Sequence, residues 1–259
     1  MATPKGEFAV FAQCPTKAAE VNGCIYSPTE SGHITIGKQE VPITKTQVLQ
    51  GGLLEPTEPF VKHLAPALNG ETLTKTAQKV PGGLLGIKCK EISNIIVRIG
   101  CELLFEEGLT EVKAVTELAA PASSVYLNTA AEQLGEGTAL YLPIKVKLEN
   151  SLFGSECYIG STSEPIKLEL TTGATKGGPT GKPGTKTSKE EGKILVISGT
   201  SLVSNTFSAP KATGCGLFGV LDGLIDEKLG LPAASGSNTA VLNGKVEIAN
   251  SEFVEESEG

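Results

Sequence analysis

The chain has 259 residues, of which 29 are acidic and 22 basic, so its net charge at pH 7 is −7. Nucleic-acid recognition uses a positive field and the forked donors of arginine. Because this chain is acidic and contains a single arginine, Arg98, its composition argues against nucleic-acid binding.

Apolar and polar residues alternate over much of the chain, which is the pattern of strands with one buried face. The segments predicted as strands are 7–13, 33–37, 40–50, 72–80, 111–119, 138–150, 166–170, 193–199 and 239–249. Three prolines argue against a regular element in 51–70. Pro143 falls within the most regular strand and predicts an edge position or a bulge. The pair Asn243 and Gly244 predicts a turn.

The segment 80–108 is the clearest amphipathic helix of the sequence. Its apolar stripe consists of Ile92, Ile95, Ile96, Ile99 and Leu103. Such a stripe normally packs, so we expect it to be buried against the sheet. The same face is a candidate surface for an apolar ligand held between helix and sheet.

Further helices are predicted at 123–134 and at 215–232. Gly135 is the predicted stop of the first and Gly230 of the second. The segment 173–192 is rich in glycine, proline and lysine and is predicted to be a flexible loop or a linker. The acidic tail, 251–259, is expected to fray.

Six cysteines, without a C-x-x-C pair and with only two histidines, do not form a zinc-site pattern. They fit either free thiols of a cytosolic protein or three disulfides of an exported one, and the even number favours export. If the protein is exported, its signal peptide has been removed and Met1 is an added residue. No apolar run reaches the length of a membrane span.

The expected disulfide pairs are Cys14 with Cys24, Cys157 with Cys215, and Cys89 with Cys101. The last pair conflicts with a continuous helix, because twelve residues of helix rise about 18 Å and a disulfide spans at most roughly 7 Å. Either the segment folds back around 95–100 and the two cysteines pair, or the helix is intact and each has another partner or stays reduced. We predict the first.

Motifs for chemistry are weak. Gly214, Gly216 and Gly219 spell the dinucleotide fingerprint, but no alternating strand and helix pattern surrounds them. Asp222 and Asp226 are interpreted as a solvated helix surface, and His33 and His63 as an exposed and a loop residue. We therefore assign no catalytic, cofactor or metal residue.

Several segments together resemble hypothetical secreted proteins of soil actinobacteria: KGEFAVFAQCP (5–15), LPIKVKLENSLFGSECYIGS (142–161), PIKLELTTG (165–173), SNTFSAPKATGCG (204–216) and GLPAASGSNTAVLNG (230–244). The resemblance covers most of the chain. It implies export, with the natural start just before Lys5 or Gly6. It implies no activity, ligand or site residue.

The sequence thus predicts a single, mainly β domain over 1–259: an antiparallel β-sandwich or β-barrel-like fold with two or three short inserted helices and three disulfides. The leading functional hypothesis is a non-enzymatic secreted or cell-envelope protein that acts by surface interaction or self-association. The alternative is an extracellular carrier of a hydrophobic, lipid-like ligand. A third hypothesis is a hydrolase that uses His33 or His63.

Overall fold

The alternating segments form antiparallel strands in the computed structural model, which describes residues 3–56, 58–83, 89–91, 95–106 and 110–258. All strands of the described residues are linked by hydrogen bonds into one sheet. They are β1 (Val21–Ile36), β2 (Gln39–Pro42), β3 (Gln47–Leu54), β4 (Val61–Ala65), β5 (Ala77–Lys79), β6 (Lys113–Leu118), β7 (Tyr126–Asn128), β8 (Leu140–Glu149), β9 (Tyr158–Ile159), β10 (Ile166–Leu170), β11 (Thr185–Lys189), β12 (Ile194–Ser204), β13 (Ala212–Thr213) and β14 (Thr239–Asn250).

The sheet closes on itself around a core. Its main order is β11-β12-β14-β1-β3-β4-β7-β8-β6-β5, with β10 also paired to β8. Thr171, directly after β10, exchanges two backbone hydrogen bonds with Val203 of β12, at 2.9 and 2.8 Å. The path from β12 through β14, β1, β3, β4, β7, β8 and β10 therefore returns to β12. The predicted antiparallel β class, with short inserted helices, is confirmed.

Aliphatic side chains fill the space inside this circuit. In β8 every second residue from Leu140 to Leu148 is buried, whereas Lys145 and Lys147 between them are partly exposed. In the neighbouring strand β10, Ile166, Leu168 and Leu170 are almost completely buried. Period-two alternation thus places one face of each strand in the core, as the sequence pattern requires.

Four α-helices are present in the described part of the chain: α1 (Ile95–Glu106), α2 (Thr129–Leu134), α3 (Asp222–Leu229) and α4 (Ser251–Glu256). Short 3-10 helices are formed by Gly6–Phe11, Cys89–Glu91, Ala122–Ser124, Glu190–Gly192 and Leu217–Gly219. Gly135 and Gly230 end α2 and α3 in the left-handed conformation, at φ 68° and 72°. The predicted helix stops are therefore confirmed at both glycines.

The N-terminal segment corrects the first predicted strand. Residues 6–11 form a 3-10 helix, because Phe8 and Phe11 are three residues apart and so lie on one side of such a helix. Both phenylalanines are buried against the outer face of the sheet, in a second, smaller core with Val254.

The C-terminal tail is not frayed through Glu256. Asn250 caps α4 by accepting a hydrogen bond from the backbone of Glu252 at 2.8 Å. Val254 is fully buried, and the Ser251 hydroxyl donates to the Val21 carbonyl at 3.0 Å. These contacts attach the tail to the start of β1.

Three further local predictions are wrong. The proline-rich segment 51–70 contains the end of β3 and all of β4. The predicted turn at 243–244 lies within β14, where the pairing register with β1 shifts. The predicted flexible segment, 173–192, includes β11, whose residues from Thr185 to Lys189 pair with β12.

Pro143 is not at a sheet edge. It pairs with Lys167 of β10, and its carbonyl accepts a hydrogen bond from Ala119 at 3.0 Å on the other side. Strand β6 has already ended at Leu118 on that side. The missing N–H of proline therefore costs no hydrogen bond within the β6 ladder.

All three predicted disulfides are confirmed: Cys14–Cys24, Cys89–Cys101 and Cys157–Cys215. The continuous helix over 80–108 is wrong. Cys89 lies in a 3-10 helix that is separate from α1, and its Cα is 5.4 Å from that of Cys101. The fold-back was predicted at 95–100, which is inside α1, whereas Ile92 lies outside the described residues.

Candidate functional site

Helix α1 presents its apolar side chains away from its disulfide. Successive helical residues are rotated by about 100°. Ile95, Ile96, Ile99 and Leu103 consequently all lie within about 60° of the direction opposite Cys101. Cys101 is fully buried, whereas Ile96 is 66% exposed and the other three are about half exposed. We call these four residues the apolar face of α1.

The prediction that this stripe is buried against the sheet is therefore wrong. Among the described residues, the main packing partner of helix α1 is the 3-10 helix Cys89–Glu91, which carries its disulfide partner. The disulfide ties the inserted segment to itself. The four described residues of its apolar stripe face outward, and Ile92 lies outside the described residues.

An apolar cavity of about 60 Å³ lies at one end of the core. This volume is several times the roughly 10–15 Å³ that one water molecule needs. Its walls come from the end of β1, from β2, β3, β5, β6, β8 and β9, and from α3. Aliphatic side chains dominate the lining, including Ile36, Val80, Val146, Leu148 and Ile225. A cavity with mainly aliphatic walls can accept a small apolar group.

The amide side chains in the cavity wall are already used by the fold. Gln78 accepts hydrogen bonds from the backbone of Thr44 and Lys45, at 2.9 and 3.1 Å, and donates to Lys45 at 2.6 Å. The Gln47 amide donates to the carbonyls of Thr74 and Thr116. These bonds fix the wall, so the cavity is suited to hydrocarbon and not to a polar ligand.

The inserted segment that carries α1 begins and ends at the cavity wall. Gly83, before the insertion, and Val112, after it, both line the cavity. The described residues of α1 do not line it. The predicted ligand site between helix and sheet is therefore not formed by the described residues of α1. The apolar face of α1 is exposed, and the cavity lies separately, where the insertion is attached to the sheet.

A second exposed apolar group was missed by the sequence analysis. The helix predicted at 215–232 begins only at Asp222, and Leu217 and Phe218 lie before it, in a loop that contains the 3-10 helix Leu217–Gly219. Leu217 is 74% exposed and Phe218 is 95% exposed. The flanking pair Gly216 and Gly219, both at φ 74°, was the sequence signal for a tight projecting loop.

The two aspartates of α3 are structural and not a solvated surface. Asp222 accepts hydrogen bonds from the backbone of Gly214 and Cys215, at 3.2 and 2.6 Å. Asp226 accepts one from Ala212 at 2.8 Å. The carboxylates therefore fasten α3 to β13 and to the disulfide at Cys215. Gly214 is required at its position, since a Cβ there would lie 2.2 Å from the Glu156 carbonyl.

The two histidines occupy different surroundings. The His33 ring lies 3.9 Å from a carboxylate oxygen of Glu40. His63 Nδ1 is 2.8 Å from the carbonyl oxygen of Ser123, beside the ring of Tyr126. Over the described residues, no group of three or more His, Cys, Asp or Glu side chains is arranged to hold a metal ion.

Charged groups cluster beside the second, smaller core, on the outer face of the sheet. Glu247 is buried between Lys189 and Lys245, at 3.4 and 2.7 Å, and Lys189 also reaches Glu7 at 2.8 Å. The hydrogen bond from Lys189 lowers the pKa of Glu7 and raises that of Lys189. This cluster attaches the N-terminal helix to β11 and β14.

Two tyrosines also have perturbed titration. Burial raises the pKa of Tyr126, which stacks on Tyr141 with ring centroids 5.3 Å apart. Burial, with Glu117 nearby, raises the pKa of Tyr158, whose ring lies 4.3 Å from the Lys145 ammonium. Both tyrosines are partly exposed on the surface of the sheet.

No helix in the part of the chain that the structure describes has both the length and the apolar character to cross a membrane. Comparisons with protein-family models, with curated proteins and with solved structures find no match to this chain.

Proposed function

We propose that this is a non-enzymatic secreted or envelope-associated protein that acts by surface interaction or self-association through the apolar face of α1. The observation that carries the proposal is the orientation of α1, with its disulfide inward and four aliphatic side chains outward. Exposed apolar patches on folded proteins commonly mark interaction sites.

The apolar face of α1 is large enough to stabilise a complex. Burying one large aliphatic side chain stabilises a complex by about 1.5–3 kcal/mol. Covering the four residues of the face, each about half exposed, is therefore worth on the order of 3–6 kcal/mol. Three disulfides, which are typical of an oxidising compartment, support the extracellular setting.

The test compares the unmodified protein with an Ile96→Ser, Ile99→Ser variant. Sedimentation velocity measures self-association, and co-sedimentation with a cell-envelope fraction measures surface binding. We expect one of the two in the unmodified protein and its loss in the variant. The matched control is Leu134→Ser, because Leu134 is 73% exposed at the C-terminal end of α2. A monomer without envelope binding contradicts the proposal, and so does binding that survives in the variant.

A second candidate function, carriage of an apolar ligand, is favoured by the cavity at the end of the core. Native mass spectrometry and organic extraction of the purified protein would detect a bound hydrocarbon. Ala114 lines the cavity, so an Ala114→Leu variant should fill it, lose the ligand and unfold at a higher temperature. An empty protein that takes up no apolar molecule would remove this candidate.

A further inference from the structure

The apolar face of α1 and the exposed pair Leu217 and Phe218 lie at the same end of the sheet. The side-chain amide of Asn150 donates a hydrogen bond to the carbonyl of Glu111, at 2.7 Å, close to where the insertion bearing α1 rejoins β6. Three residues on, the carbonyl of Phe153 accepts a hydrogen bond from Gly216 at 2.8 Å. The turn 150–153 thus joins the attachment points of both apolar groups.

The cavity lies between these two attachment points. Val112, beside the insertion, and Phe153, beside the loop of Phe218, both belong to its wall. Each apolar group is also held by its own disulfide, Cys89–Cys101 in one case and Cys157–Cys215 in the other. We call this part of the molecule, with α1, the Leu217 and Phe218 loop and the cavity, the open end.

Phe218 is held out from the protein at a conformational cost. Its φ of 56° lies in the left-handed region, which bulky residues seldom adopt. At 95% exposure it recovers almost no packing in return. A strained and exposed aromatic residue at the tip of a disulfide-anchored loop indicates that a contact outside the chain uses it.

The charge of the protein does not favour binding to an anionic lipid surface. Two pairs of opposite charge lie near the attachment point of the insertion, Lys79 with Glu111 at 3.5 Å and Lys147 with Glu149 at 4.0 Å. The whole chain carries a net charge of −7. A chain with this net charge gains little from acidic lipids, so apolar contacts have to carry the docking.

We infer that the open end docks on a lipid surface of neutral or zwitterionic headgroups, with the apolar face of α1 and the side chains of Leu217 and Phe218 inserted among the hydrocarbon chains. This inference rests on the proposed function and names its partner. The six side chains of the two groups are hydrocarbon throughout, and Phe and Leu are typical of the inserting face of an interfacial helix. Protein interfaces are enriched in Tyr, Trp and Arg, which neither group contains.

The twelve residues of α1 are too few to span a bilayer and suit a helix that lies in the interface. The cavity beneath offers aliphatic walls to the end of a single chain. Docking and ligand carriage would then use the same end of the molecule.

The chain lacks tryptophan, so one introduced residue gives an unambiguous signal. The Phe218→Trp variant is mixed with phosphatidylcholine vesicles, with and without brominated acyl chains. We expect a blue-shifted emission and quenching by the brominated lipid. The Leu134→Trp variant is the control, because α2 precedes the start of β8 whereas the turn 150–153 follows its end. That variant should show neither change.

Adding Ile96→Glu and Ile99→Glu to the Phe218→Trp variant should lower the vesicle partition coefficient at least tenfold without changing the unfolding midpoint. Absence of binding to phosphatidylcholine overturns the inference. If α1-dependent self-association or protein binding then persists, the proposed function stands and only the lipid partner is wrong. Binding that requires anionic lipid and disappears with salt also overturns it.

Discussion

The two ends of the molecule differ in whether the apolar side chains of their helices are buried against the sheet. At the end where β1 begins, the N-terminal 3-10 helix and α4 bury Phe8, Phe11 and Val254 against the sheet. We call this the closed end. At the open end, α1 has twelve residues and a disulfide at Cys101, yet it leaves its apolar face in solvent. The helices at the two ends therefore differ in whether their apolar side chains are covered by the sheet.

The difference follows from which segments each disulfide joins. Cys24 lies in β1, so the Cys14–Cys24 bond ties the N-terminal segment to the sheet. Cys89 lies in the same insertion as Cys101, so their bond fixes the shape of the insertion without drawing it onto a strand. A crosslink to the sheet brings apolar side chains into a core, whereas a crosslink within an insertion only holds them in place.

The largest expected contrast is between core and surface truncation at the two ends. Phe11→Ala should lower the free energy of unfolding by about 3–5 kcal/mol, because it empties a buried site. Ile99→Ala should change it by no more than about 0.5 kcal/mol, as is usual at an exposed position. Urea unfolding measures both. A loss at Ile99 as large as at Phe11 would mean that the apolar face of α1 is covered within the protein.

Removing the disulfides should separate the two ends in a second way. The Cys14→Ala, Cys24→Ala variant loses the constraint on a loop of sequence separation 10 and should be destabilised globally by about 3 kcal/mol. The Cys89→Ala, Cys101→Ala variant should instead unfold locally. Hydrogen exchange at residues 95–106 would accelerate, while the global urea midpoint moves much less. Equal global losses in the two variants would show that α1 is part of the cooperative fold.

A third prediction concerns α3, which belongs to the open end but is tied down. Asp222→Ala leaves the backbone N–H groups of Gly214 and Cys215 without their acceptor, at a cost of about 1–3 kcal/mol. Thermal unfolding with Glu227→Ala as the exposed control on the same helix measures the effect. No loss in the aspartate variant would show that α3 is as weakly attached as α1.

Many of the strands and two of the disulfides could be predicted because their signals are local. Period-two alternation predicts β8 and β10, and short spacings favour Cys14–Cys24 and Cys89–Cys101, whereas Cys157 and Cys215 are 58 residues apart. The direction of the α1 stripe could not be predicted, since the same periodicity occurs whether a sheet lies opposite or not. Asp222 was misassigned for a related reason, because its partners at Gly214 and Cys215 are defined by the loop fold and not by helical spacing.

The smallest expected effect is the pH dependence of the closed end. The hydrogen bond from Lys189 lowers the pKa of Glu7 in the folded protein below its ordinary value of 4.5. The stabilisation is therefore complete above pH 4.5 and is lost as the pH falls through the lowered pKa. Glu7→Gln should remove this dependence, so that the melting temperatures of variant and unmodified protein converge at low pH. Because Glu7 is at the surface, the difference should be small and should shrink with salt. Glu255→Gln, on the exposed side of α4, is the matched control and should leave the acid limb of the curve unchanged. An acid limb that persists in Glu7→Gln would place the pH dependence elsewhere and separate it from the attachment of the N-terminal helix.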